Sequence, residues 1–174
     1  MSREREYRSP TRDLDDPQQV AEMVRRFYSD VAQDDLLGPM FNDVARVDWS
    51  EHLPKLTDFW CRFLFSLPGY TGNPLRAHQL IHAKRPFTSK HFDRWLYLFH
   101  ETVDLGWTGT NAERVKAFAV RVARVHGRQL VGPDCGALLG SAAPSPSHEV
   151  AVAIFGDPIL CESEDEVVSE PGGQ

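Results

Sequence analysis

Between Val20 and Val122 the apolar residues of this chain return every three or four positions, and strand-type alternation is scarce. That period belongs to helices with one buried face. Asp16-Pro17 supplies a cap and a proline at the first helical position. After it, Val20, Val24, Phe27, Tyr28 and Val31 form one apolar stripe. Leu36-Leu37-Gly38-Pro39 ends that helix, and Phe41 follows in a turn. A second helix carries Trp49, His52, Leu53, Leu56, Phe59, Trp60, Phe63 and Leu64, and stops at Pro68-Gly69. The loop YTGNP then delivers a short helix over 75–83, closed before Pro86. A third long helix starts near Thr88, with Phe92, Trp95, Leu96, Phe99 and Val103 on one side. The last begins at Thr110, where Thr110 and Glu113 have the spacing of a capping box. Val115, Phe118, Ala119 and Val122 continue its buried face. The expected fold class is all-α.

The 174 residues suffice for one domain with tails. Residues 1–15 are charged and aperiodic and read as a flexible lead-in. Residues 16–132 form the domain. Residues 133–174, rich in Gly, Ala, Ser and Pro and acidic at the end, read as a low-complexity, disordered tail. One apolar piece inside that tail, VAVAIFGDPIL, suits a strand or a docking segment. A net charge of −6 argues against nucleic acid and anionic membranes as partners. No apolar stretch approaches the roughly 20 residues of a membrane span, and no secretory signal opens the chain. A cytoplasmic protein is expected. Cys61, Cys135 and Cys161 form neither CxxC nor CxxCH, which excludes a zinc knuckle and the usual covalent haem attachment. Cys61, within an aromatic run, reads as a buried thiol.

Three residues depart from the pure core pattern. Tyr28, His52 and Trp95 lie on the apolar stripes of three different helices, and each ends in a hydrogen-bonding tip. An unpaired buried tip costs about 1–3 kcal/mol, so the three call for partners, in one another or in a bound ligand. His78 and His82 form an HxxxH pair on the short helix. The pair shares a face, but lacks the glutamate of a zinc protease and a third ligand at an obvious spacing. One neutral imidazole on haem iron is an equally simple use; two solvent-facing histidines is another.

Taken in order, FYSDVAQDDLLGPMF, DWSEHLPKLTDFW, YTGNPLRAH and HFDRWLYLFHETVD resemble the group III truncated haemoglobins, over residues 18–131. The resemblance implies a shortened globin, helices layered two over two around non-covalent haem b. It implies that His78, ending the PxxxH pattern, is the proximal iron ligand. His82, nearer to Trp95, is the alternative if the loop threads differently. On the distal side it implies Tyr28, His52 and Trp95, with Phe41 packing against the haem face. Lys55, Arg76 and Arg85 are candidate partners for the haem propionates; the plainer reading is three solvated charges. The implied ligands are O2, NO or CO. Three functions compete: reversible O2 binding, turnover of NO or peroxide with an external reductase, and a cofactor-free helical interaction module. The last leaves the polar tips unexplained.

Overall fold

A computed structural model describes residues 10–135. Residues 1–9 of the lead-in and 136–174 of the tail, with its VAVAIFGDPIL segment and Cys161, lie outside the described residues. The described chain holds five α-helices and no strand, as the apolar period requires. They are α1 (Pro17–Gln33), α2 (Trp49–Phe65), α3 (Pro74–Lys84), α4 (Ser89–Gly106) and α5 (Thr110–Leu130). One π-helical turn, Met40–Val44, stands between α1 and α2 and carries Phe41.

Asp16 caps α1, its carboxylate accepting the N–H groups of Gln18 and Gln19 at 2.8 and 2.9 Å. The stripe from Val20 to Val31 then faces α2 and α4. α5 lies on α4 and reaches α2, so α1–α2 and α4–α5 form two layered pairs. Between them Trp60 stacks on Phe99 at 4.8 Å and Trp95 stacks on the same ring at 5.4 Å. Phe27 meets Phe99 edge-on at 5.1 Å. Offset and edge-on rings add about 0.5–1.5 kcal/mol per pair beyond burial. Cys61 is buried among them, and burial pushes its thiol up from the ordinary value. α3 is different. It rests on α5 and the π-helical turn, and none of its residues is fully buried.

Two boundaries fall elsewhere than the sequence pattern places them. Thr110 is the first residue of α5 and not its cap; Gly109 holds the cap position, and no side chain of the helix closes a box. The cap comes from Asp13, whose carboxylate accepts the N–H groups of Asn111 and Ala112 at 2.9 and 2.8 Å. Gly109, at φ 134, is required twice over, because Asp13 occupies the space a Cβ would take. The lead-in is therefore packed at its end: Leu14 is fully buried and the Arg12 guanidinium lies 5.0 Å over Trp107. At the other end Cys135 is buried beyond residue 132, although Pro133 and Asp134 before it are exposed.

Candidate functional site

The loop before α3 makes the first half of the site. Tyr70 packs edge-on against Phe59 at 5.2 Å, and its own hydroxyl folds back over Gly72, where a Cβ would sit 2.8 Å away. Asn73 then caps α3, accepting the Arg76 N–H at 3.1 Å, and Pro74 takes the first helical position. One turn on, His78 Nδ1 lies 2.6 Å from the Pro74 carbonyl. A carbonyl only accepts, so Nδ1 carries the proton and Nε2 keeps a free lone pair. Burial pushes this imidazole down from its ordinary value, the bond to Pro74 acting against it.

His82 has the opposite arrangement. Its Nδ1 accepts the Phe87 N–H at 3.0 Å, which closes the turn after α3. In the neutral ring the proton then sits on Nε2, leaving no lone pair to offer a metal. Phe87 lies 5.9 Å from His78 and 6.0 Å from His82. Among the described residues no three His, Cys, Asp or Glu converge on a metal position.

α1, α2 and α4 supply the second half. Tyr28 is buried, with Phe41 at 5.9 Å, Trp49 at 5.8 Å and His52 at 6.4 Å from its ring. Burial raises the Tyr28 phenol well above its usual range, the nearby Trp95 side chain acting against it. Trp95 lies nearby, both rings meeting Phe27 edge-on, Tyr28 at 4.7 Å and Trp95 at 5.4 Å. Phe41 stacks on Trp49 at 5.8 Å. His52 is half-buried; burial lowers its pKa, as do the charges of Lys55 and His78.

The three proposed cations stay on the surface. Lys55 lies 3.9 Å from Glu51 on the outside of α2, Arg76 is in the first turn of α3, and Arg85 follows its last residue. Among the described residues no shared partner draws them together. The sequence pattern did not single out His126, which the structure sets against His78 with ring centroids 4.9 Å apart. Its Nδ1 donates to the Val122 carbonyl at 2.9 Å, and burial, then the charge of His78, push it down to about 3. The stripe Val115, Phe118, Ala119, Val122 reaches His126 in one more step, so the signal was present.

These residues suit a flat apolar cofactor with a metal at its centre. One neutral imidazole beside Phe87 offers a free Nε2, and α1 and α2 bring polar tips together among aromatic rings. The inner face of α3, Leu75, His78, Ile81 and His82, is only half-buried by the protein itself.

Comparisons with known proteins agree in direction. A family model described as bacterial-like globin matches residues 14–127. The group 3 truncated hemoglobin ctb of Campylobacter jejuni is 34% identical over 89 residues, covering 49% of this chain and 68% of that protein. The crystal structure of a group III truncated hemoglobin from Campylobacter jejuni is similar at a TM-score of 0.60 and 29% identity. The match covers 66% of this chain and 91% of that one.

Proposed function

The chain belongs to the bacterial-like globins, among the group III truncated haemoglobins, and from that premise we propose that it holds haem b non-covalently through His78 and reversibly binds O2 or another diatomic gas. The observation that supports this most is the His78 hydrogen bond to Pro74, which leaves Nε2 as the one nitrogen of the HxxxH pair whose lone pair is not already engaged. When bound, haem supplies an iron with a position open to a small ligand.

The chain's own residues do the rest. The Pro74 carbonyl holds the His78 tautomer and strengthens Nε2 as a donor. Tyr28, kept protonated by burial, would offer its hydroxyl proton to a small ligand on the bound haem. In a water-poor pocket such a bond is stronger than in solvent. His52, held neutral by burial, is a second polar neighbour of that position. Phe41 and Trp49 form an apolar wall that keeps water out. Lys55, Arg76 and Arg85 are exposed and free to meet carboxylates at the rim.

Hemin added to the purified chain should give ferric, ferrous and CO spectra of a histidine-ligated haem. His78→Gly should lose that signature and regain it with added imidazole, whereas His82→Ala should keep it. A chain that takes up no hemin refutes the proposal; loss of the signature in His82→Ala alone moves the ligand to His82.

A further inference from the structure

α5 places a second imidazole against the first. His126 is 3% exposed, on a stripe otherwise filled by Val, Phe and Ala. A polar ring there costs more than an apolar one of the same size, so stability alone does not select it. Its Nδ1 donates one turn back to Val122 at 2.9 Å, as His78 Nδ1 donates one turn back to Pro74 at 2.6 Å. Each ring is thereby pinned to its own helix, and the two touch at 4.9 Å with planes tilted by 41°.

We propose that His126 is a positioning residue that sets the rotational angle of the His78 imidazole and so the direction of its Nε2. The inference rests on the reading of His78 as axial ligand. One hydrogen bond fixes an edge of the His78 ring but leaves a hinge about that edge. A neighbouring ring whose own rotation is locked removes that freedom. α3 needs such a stop, because it buries no residue of its own and meets few elements besides α5. Phenylalanine would supply the wall without the lock, and asparagine the lock without the wall.

The test uses the hemin-loaded full chain and its iron–histidine stretching band by resonance Raman, with hemin loss to an acceptor protein as a second measure. His126→Phe should broaden or split the band while leaving the helical content unchanged. His126→Leu should shift it and accelerate hemin loss about tenfold, the lower end for losing a residue that orients a metal ligand. His126→Asn should recover part of the wild-type band width. Nitrogen NMR of the hemin-free chain adds a reading independent of the cofactor: His126 should carry its proton on Nδ1. A wild-type band in all three variants, or a proton on Nε2, overturns the positioning role while His78 ligation stands. Absence of an iron–histidine band in the wild type removes both readings at once.

Discussion

Tyr28 and Trp95 meet the same ring, packing edge-on against Phe27 at 4.7 and 5.4 Å, and the Tyr28 phenol is the buried tip of the two. Tyr28→Phe removes that tip and leaves the ring. O2 release, followed by stopped-flow displacement with CO, should quicken about tenfold, the equivalent of one net hydrogen bond near 1.4 kcal/mol. An unchanged release rate would transfer the stabilising role to His52 or Trp95. Tyr28, His52 and Trp95 were legible in the sequence because a polar tip on an apolar stripe needs a partner. His126 obeys the same rule but sits at the far end of its stripe, where the packing of α3, and nothing local, decides what it faces. The preference for His78 over His82 came from the PxxxH pattern of the resemblance alone, since the spacing of the pair leaves both open and the group each Nδ1 meets is visible only in the fold.

At the scale of elements, the helices follow from their period and their punctuation: α1 begins where the Asp-Pro pair announces it, and α3 begins at Pro74, one residue before the helix expected over 75–83. The period also carries α2 through Pro54, which lacks the N–H that would bond the Ser50 carbonyl. The start of α2, with Trp49 and His52, is tied down more weakly for it. α5 shows where local reading stops. Thr110 and Glu113 have the right spacing, yet a carboxylate almost a hundred residues earlier caps the helix. Asp13→Ala should cost about 1–2 kcal/mol, the upper range for a cap serving two N–H groups, measured by urea unfolding of the hemin-free chain. Thr110→Ala should cost much less. Equal losses would restore the local box.

Across the whole molecule, charge is arranged so that acid acts twice. The imidazoles of His52, His78, His91 and His126 all lie below their ordinary value, chiefly through burial. Unfolded, they take up protons below about pH 6.5 while the folded chain does not, so stability falls with pH from there. Glu22 is held low by Arg12. Asp34 is held low by the N–H of Leu37 and by Arg94 at 2.7 Å, against the opposing effect of its burial. These carboxylates favour the fold above their unfolded values near 4 and lose that contribution as pH falls through their folded ones. Urea midpoints of the hemin-free chain should decline from pH 7 to 5, then again below pH 4. Asp34→Asn should remove part of the second decline only.

The residues before α1 carry a consequence for time. Asp13 meets Asn111 and Ala112 across 98 and 99 positions, and Arg12 reaches Gly106 across 94. Closing so long a loop costs entropy before any contact repays it. These bonds accordingly form after the helices have packed, and are absent at the folding barrier. Weakening them by Asp13→Ala should leave the refolding arm of a chevron plot in place and raise the unfolding arm. The short stretch ahead of the first helix sets how long the folded chain lasts, and has little part in how fast it forms.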